Sequence, residues 1–155
     1  MTDALILFTR YPEAGRAKTR LIPQLGAEGA AELQRRMTQH AAGRAWAFCA
    51  ARPKRRLIVA HEGGDSGRMR EWLGPLRYEP QGGGDLGERM RRAVERALKQ
   101  GAKKVLIMGS DCPALDEERL SEAMQALDDG DVVFGPAQDG GYYLIGMKQA
   151  HLRLF

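Results

Sequence analysis

Strand-length apolar runs alternate with helical patterns along the chain, and this alternation limits the possible folds more than any other feature. The predicted strands are Leu5–Thr9, Leu57–Ala60, Leu76–Glu79, Lys104–Met108, Asp131–Phe134 and Tyr142–Met147. Strands separated by helices form βαβ units, which build a mainly parallel sheet with helices on both faces. The sequence therefore predicts an α/β fold with three layers.

Four helical patterns connect these strands. The predicted helices run from about Ala27 to Ala51, from Ser66 as N-cap to the residue before Gly74, from Asp85 to the residue before Gly101, and from about Asp116 to Leu127. Asp85 and Glu88 have the spacing of a capping box, which predicts the start of the third helix. In open sheets of this kind ligands bind beyond the carboxyl ends of the strands, so the residues directly after each strand are the first candidates for a site.

Length and composition indicate a single domain over residues 1–155. Apolar runs are far shorter than the ~20 residues that cross a bilayer, and the N-terminus lacks the basic segment and cleavage site of a signal peptide. We expect a cytoplasmic protein without a membrane partner, in which Cys49 and Cys112 are free thiols. The oligomeric state is left open.

The charge balance, 24 Lys and Arg against 20 Asp and Glu, is mildly basic. Such a balance suits either nucleic acid or a phosphorylated metabolite. The cations are scattered among carboxylates, and aromatic residues for base stacking make up only 6% of the chain. We therefore expect no nucleic-acid partner.

A basic segment around Gly15 follows the first predicted strand. Guanidinium groups bind phosphate in a bidentate fork, so cations at a strand end predict a nucleotide or polyphosphate site, with a solvated basic loop as the alternative. A P-loop is excluded, because Ala17 stands where that motif requires a glycine before the lysine. The cations of the segment are Arg10, Arg16, Lys18 and Arg20.

The stretch Gly82–Gly87 has the G-x-G-x-x-G spacing of dinucleotide sites. Two features argue against NAD binding. Asp85 would place a carboxylate at the helix N-terminus that a pyrophosphate should occupy, and the stretch follows the third predicted strand instead of the first. Gly84 and Asp85 therefore belong either to a simple helix-capping loop or to a loop that contacts a nucleotide beside the site.

Asp111 belongs to the segment Ser110-Asp111-Cys112-Pro113, which comes just after the most apolar predicted strand. A carboxylate at this edge of the sheet is suited to hold Mg²⁺ or Mn²⁺ that bridges substrate phosphates. The alternative is a helix cap, a role for which Asp116 is better placed. Cys112 would need a neighbouring base to act as a nucleophile, and no histidine motif supplies one.

A glycine-rich turn joins the last two predicted strands. Gly140 and Gly141 permit positive φ and close approach of the backbone to a ligand. With Asp139 and Tyr142 at its rim, the turn is predicted to contact substrate; a plain hairpin turn is the alternative.

Four motifs together resemble the GT-A-type, nucleotide-diphospho-sugar transferase-like family of glycosyltransferase-like proteins, some of them linked to arsenosugar biosynthesis. The motifs are FTRYPEAGRAKTRL, GDLGERM, GSDCPAL and GPAQDGGYYLIG, in the family's order and spacing. The K-x-R-L element that starts at Lys18 and the D-G-G turn are more distantly similar to 2-phospholactate guanylyltransferase and the molybdenum cofactor guanylyltransferase.

This resemblance implies a GT-A, Rossmann-like fold, in which Lys18 and Arg20 hold nucleotide phosphates and Asp111 binds the divalent cation. The D-G-G turn would lie on the sugar or acceptor side. The D-x-D metal motif of GT-A enzymes is reduced here to Asp111, flanked by Ser110 and Cys112. The family continues beyond the equivalent of Phe155 with a further acidic motif, so we expect the domain to lack the family's C-terminal segment.

The leading prediction is a glycosyltransferase-like enzyme that takes a nucleotide sugar and a small-molecule acceptor. Lys18, Arg20 and a metal on Asp111 would neutralise a departing diphosphate, and Asp139 would orient or deprotonate the attacking oxygen. Two alternatives stay open: a nucleotidyltransferase that releases pyrophosphate from a nucleoside triphosphate, and a catalytically silent nucleotide-binding module.

Overall fold

A computed structural model describes residues 2–136 and 142–149, which contain one six-stranded sheet. The strands are β1 (Thr2–Arg10), β2 (Arg55–Glu62), β3 (Arg77–Pro80), β4 (Ala102–Gly109), β5 (Val132–Pro136) and β6 (Tyr142–Met147). Their order is β3-β2-β1-β4-β6-β5. Strands β1 to β4 are parallel, whereas β6 is antiparallel to both β4 and β5. The mainly parallel sheet is confirmed.

The helices cover both faces of this sheet, which confirms the predicted three layers. They are α1 (Ile22–Ala50), α2 (Ser66–Leu73), α3 (Leu86–Lys99) and α4 (Glu117–Asp129), with a short 3-10 turn at Thr19–Leu21 before α1. Successive side chains of a strand point to opposite faces. In β1, Leu5 and Leu7 accordingly pack with residues of α1, α2 and α4, whereas Ile6 and Phe8 pack with residues of α3.

Aspartate side chains cap the starts of α2, α3 and α4. Asp85 accepts a hydrogen bond of 2.8 Å from the backbone N–H of Glu88, so it caps α3 as predicted. The prediction that Ser66 caps α2 is wrong. Asp65 takes that role by accepting from the backbone N–H of Arg68 at 2.8 Å, and Ser66 is the first helical residue.

Both cysteines of the chain are free thiols, as predicted. Burial raises the pKa of the Cys49 thiol to about 12, although the charge of Arg55 opposes the shift. Cys49 therefore stays protonated at neutral pH and acts as a small apolar side chain in the core. In the described part of the chain, no helix is both long and apolar enough to span a membrane.

The strand order changes direction at the centre of the sheet. From β1 the chain runs outward to β2 and β3, and then crosses back through α3 to β4 on the other side of β1. In open α/β sheets a crevice forms at the carboxyl ends of the strands where the order reverses in this way. The carboxyl ends of β1 and β4 are therefore the expected place for a ligand.

Candidate functional site

A cavity of about 570 Å³ opens at the carboxyl ends of β1 and β4. Its walls combine the ends of four parallel strands with the first turns of α3, and apolar side chains such as Phe8 and Leu86 complete the lining. The polar lining residues at the strand ends are Thr9, Arg10, Glu62, Gln81, Ser110 and Asp111. The cavity therefore lies where the sheet topology places ligands.

The cavity is lined by more cations than carboxylates. Among the described lining residues the only carboxylates are Glu62 and Asp111. A surplus of positive charge in a concave, partly desolvated site attracts anions and suits a polyphosphate. The cationic side chains of the lining are Arg10, Lys18, Arg20 and Arg89, of which the sequence predicted the first three.

Lys18 and Asp111, two of the predicted site residues, form an ion pair across the cavity. The Lys18 ammonium donates to Oδ1 of Asp111 at 2.8 Å, although 93 positions separate the two residues. The Lys18 side chain is 14% exposed and that of Asp111 is 73% exposed. Lys18 also has left-handed backbone angles, φ 46° and ψ 50°, which cost a residue with a side chain roughly 1 to 3 kcal/mol. The loop after β1 thus fixes its ammonium at the end of β4.

Arg20 is exposed and lines the cavity next to this pair. Within residues 2–136 and 142–149 its guanidinium has no hydrogen-bond acceptor or ion-pair partner. No group in the described part of the chain therefore competes with an anion for its donors.

Arg10 lines the cavity and is also bonded to neighbouring protein groups, and its predicted contact with a nucleotide stays a prediction. Its Nε and Nη2 donate to Oε2 of Glu62 at 3.2 and 2.8 Å, and its Nη1 donates to the carbonyl of Arg16. Burial raises the pKa of Glu62, but hydrogen bonds from Arg10 and the charges of Arg10 and Arg89 outweigh it and hold the pKa below its ordinary value. Arg10 thus ties the loop after β1 to the end of β2.

A buried polar cluster that sequence reasoning missed forms the floor of the site. Thr9 and Thr38 share a hydrogen bond of 2.7 Å between their hydroxyls, and Thr9 also donates to Ser110 at 3.4 Å. Gln34 donates to both threonine hydroxyls and to the carbonyl of Arg10 at 3.0 to 3.1 Å. These bonds fasten α1 to the ends of β1 and β4. The available signal was the i, i+4 spacing of Gln34 and Thr38 within an alanine-rich helix face.

Gln81 and Arg89 were also missed. Gln81 follows β3, is 5% exposed, and donates from Nε2 to the carbonyls of Thr9 and Ala60 at 3.1 and 3.0 Å. Its Oε1 accepts from Nη1 of Arg89 at 2.6 Å. The position of Gln81 directly after a strand was the only sequence signal for this contact.

Three predicted site residues do not line the cavity. Gly15 and Gly84 have φ of 86° and 100°, values that favour glycine, and Asp85 uses its carboxylate to cap α3. A Cβ on Gly84 would also approach Oε2 of Glu88 to 2.6 Å. A nucleotide contact by these residues stays a prediction.

The glycine-rich turn falls largely outside the described part of the chain. Asp139, Gly140 and Gly141 lie outside the described residues, and Tyr142 begins β6. Their predicted contact with substrate stays a prediction.

The described residues do not by themselves make a metal site. They contain no group of three or more His, Cys, Asp or Glu side chains that could hold an ion, and the Asp111 carboxylate is paired with Lys18. A divalent cation in proteins usually keeps several waters and takes one or two carboxylates plus substrate phosphates. Binding of Mg²⁺ or Mn²⁺ by Asp111 together with substrate phosphates stays a prediction.

Fold and cavity together define a Rossmann-like α/β protein with the architecture of nucleotide-diphospho-sugar transferases. The chain belongs to the DUF2064 family, whose description is "uncharacterized protein conserved in bacteria" and which matches residues 45–155. No curated protein matches the sequence.

A solved structure with high similarity is that of a candidate nucleotide-diphospho-sugar transferase from Desulfovibrio desulfuricans G20. It is 37% identical, with a TM-score of 0.85 over 96% of this chain, and the chain spans 64% of its length. The predicted resemblance to this family is confirmed.

Two further solved structures share the fold at low identity. One is CMP:2-keto-3-deoxy-manno-octonic acid synthetase in complex with CTP (12% identity, TM-score 0.56, 99% of this chain and 76% of that one). The other is 4-diphosphocytidyl-2C-methyl-D-erythritol synthase from Anaerococcus prevotii (12% identity, TM-score 0.58, 99% and 73%). At this identity the two matches show a shared fold.

Proposed function

We propose that the cavity binds the diphosphate of a nucleotide-diphospho-sugar and that the protein transfers the sugar to a small-molecule acceptor. The observation that carries this proposal is the meeting of Lys18, Arg20 and Asp111 in one cavity where the strand order reverses. The similarity to the Desulfovibrio protein supports the donor class.

In the proposed reaction the acceptor oxygen attacks the anomeric carbon, and the nucleoside diphosphate leaves with the bonding electron pair. Negative charge then grows on the bridging oxygen, where Lys18 and Arg20 stabilise it. The Lys18 charge acts strongly because its side chain is only 14% exposed and water screens it little.

Asp111 orients the Lys18 ammonium in this proposal. An ammonium has three donors, so Lys18 can keep its bond to Asp111 at 2.8 Å while it donates to a phosphate oxygen. Asp111 is also the carboxylate that would hold Mg²⁺ or Mn²⁺ arriving with the phosphates. We further propose that Asp139 orients or deprotonates the acceptor oxygen.

Nucleotidyl transfer is the second candidate. The fold shared with a synthetase in complex with CTP favours it, and the same cations would stabilise pyrophosphate as a leaving group. Mass spectrometry of the products distinguishes the two, because sugar transfer yields a nucleoside diphosphate whereas nucleotidyl transfer yields pyrophosphate. Binding without any turnover would instead indicate a silent nucleotide-binding module.

The first test is thermal stability with nucleoside diphosphates, triphosphates and nucleotide sugars, each with and without Mg²⁺ or Mn²⁺. A ligand at 100 times its dissociation constant stabilises the native state by about 2.7 kcal/mol. We expect stabilisation in the wild type and its loss in Lys18→Gln and Arg20→Gln. Arg16→Gln is the matched control, because Arg16 belongs to the same loop, is 75% exposed and does not line the cavity. No stabilisation of the wild type by any nucleotide would refute the proposal.

A further inference from the structure

Arg89 is a fixed cation in the cavity wall. It lies in the first turns of α3, its side chain is 17% exposed, and it lines the cavity. Nη1 donates to Oε1 of Gln81 at 2.6 Å and lies 3.2 Å from Oε2 of Glu62. Nε donates to the carbonyl of Asp85 at 3.3 Å. Within the described residues, Nη2 donates to no acceptor.

Gln81 forms a rigid support for this guanidinium. Its Nε2 bridges the carbonyls of Thr9 and Ala60, which lie on adjacent strands. Its own backbone N–H donates to the carbonyl of His61 at 2.9 Å, and its carbonyl accepts from Nη1 of Arg92 at 2.7 Å. Because these groups are bonded and the residue is buried, Gln81 cannot rotate without losing several hydrogen bonds.

The local charges leave Arg89 only partly compensated. Glu62 is the one carboxylate within ion-pair distance of Arg89 among the described residues, and the same oxygen, Oε2, also accepts from Arg10. One negative charge therefore serves two cations. A guanidinium that has lost most of its contact with water is stabilised by a further anionic partner. The cavity is the open side from which such a partner can approach.

We propose that Arg89 binds a phosphoryl oxygen of the substrate's diphosphate through Nη2, and that Gln81 and Glu62 are its positioning residues. This inference rests on the proposed function, which brings the diphosphate into the cavity. It adds a cation from α3 to Lys18 and Arg20, which line the same cavity. An anionic acceptor offers the same oxygen chemistry; if Arg89 bound the acceptor instead, Arg89→Gln would leave the binding of nucleoside diphosphates unchanged.

The experiment is calorimetric titration of inorganic pyrophosphate and of nucleoside diphosphates into four proteins: the wild type, Arg89→Gln, Arg89→Lys and Arg91→Gln. Arg91 is the matched control, since it lies on the same helix, pairs with Glu95 at 3.0 Å and does not line the cavity. We expect Arg89→Gln to raise the Kd for pyrophosphate by about tenfold to hundredfold. Arg89→Lys should recover part of this loss, and Arg91→Gln should bind like the wild type.

The positioning role of Gln81 is tested by a double-mutant cycle with Gln81→Met and Arg89→Gln. If Gln81 acts through Arg89, Gln81→Met weakens pyrophosphate binding in the wild-type background and has little further effect in Arg89→Gln. A purely structural role for Gln81 would lower the Tm and weaken binding equally in both backgrounds, which would overturn its assignment as a positioning residue.

Three results would overturn the assignment of Arg89. If Arg89→Gln binds pyrophosphate and nucleotides as Arg91→Gln does, the inference fails while the proposed function stands. If Arg89→Gln weakens nucleotides but leaves pyrophosphate unchanged, Arg89 contacts another part of the substrate, and the phosphoryl contact is wrong. If the wild type binds neither pyrophosphate nor any nucleotide, both proposals fall together.

Discussion

Gln34 shows how a single buried residue connects a helix to the site. Its amide nitrogen donates to Thr9, Thr38 and the carbonyl of Arg10, and the residue is only 5% exposed. The cluster holds the carboxyl end of β1 against α1, next to Ser110 at the end of β4. Because Asp111 follows Ser110, the cluster also supports the loop that carries Asp111, the ion-pair partner of Lys18.

Replacement of Gln34 by leucine should destabilise the protein. Two threonine hydroxyls and a carbonyl would lose a donor in a buried position, which costs roughly 1 to 3 kcal/mol of unfolding free energy. Equilibrium urea denaturation measures the change. Gln39→Leu is the control, because Gln39 is exposed on the same helix. Equal stability of the two variants would contradict the importance of the cluster.

The lowered pKa of Glu62 leads to a second prediction about a single residue. A carboxyl whose pKa is lower in the folded than in the unfolded protein contributes stability above its ordinary pKa, and this contribution disappears as the pH falls through the folded value. Glu62→Gln should therefore be less stable than the wild type at neutral pH, and the difference should shrink in acid. Urea midpoints at about pH 7 and about pH 3 test this. The exposed Glu122→Gln should differ little from the wild type at either pH.

Part of the site was predictable from single residues, and part was not. Lys18, Arg20 and Asp111 could be found because each follows a strand that its own apolar run reveals, and parallel strands bring their carboxyl ends together. The role of Gln81 could not, because its bonds to the carbonyls of Thr9 and Ala60 depend on where the end of β3 lies relative to β1 and β2. The register between strands is fixed when the sheet assembles, and the local sequence pattern does not specify it.

Two glycines in different secondary-structure elements should have opposite effects on stability when each is replaced by alanine. Gly43 lies in α1, and a Cβ there would meet no atom within 4 Å. Gly43→Ala should stabilise the protein by about 0.5 to 1 kcal/mol, because alanine favours helix. Gly146 lies in β6, and a Cβ there would approach Leu106 to 2.5 Å and Val133 to 2.6 Å.

Gly146→Ala should destabilise the protein by roughly 1 to 3 kcal/mol through overpacking. Thermal and urea unfolding measure the change in stability of both variants. The Gly146 result tests whether this glycine lets α4 pack closely on the sheet, since the added Cβ would also lie 3.2 Å from Leu127 of that helix. A neutral Gly146→Ala would show that these side chains can move apart at little cost.

The elements themselves were largely predictable, and their arrangement less so. Apolar runs located the strands, and the capping box located α3. The N-cap of α2 was misplaced by one residue, because Asp65 and Ser66 are both good capping residues and only the extended backbone of Asp65 selects it. The antiparallel pairing of β6 with β4 was not predicted, because strand direction depends on the path of the chain between strands.

The whole molecule carries a formal net charge of +4, so anion binding could reflect either the global charge or the cavity. Charge reversals of equal size separate the two. Arg20→Glu changes a cation that lines the cavity, whereas Arg36→Glu changes one that is 77% exposed and paired with Glu32 on the outer surface of α1. Both variants lower the net charge by the same amount.

If the cavity dominates, Arg20→Glu should raise the Kd for pyrophosphate by about tenfold or more, and Arg36→Glu by less than about threefold. Wild-type binding should weaken as NaCl rises from roughly 0.05 to 0.5 M, and the effect of Arg36→Glu should disappear first, because the Debye length shrinks to a few Å and screens a distant exposed charge most. Calorimetry at both salt concentrations makes the comparison. Equal losses in the two variants would mean that net charge attracts the anion, and Lys18 and Arg20 would then have no special role in binding phosphate.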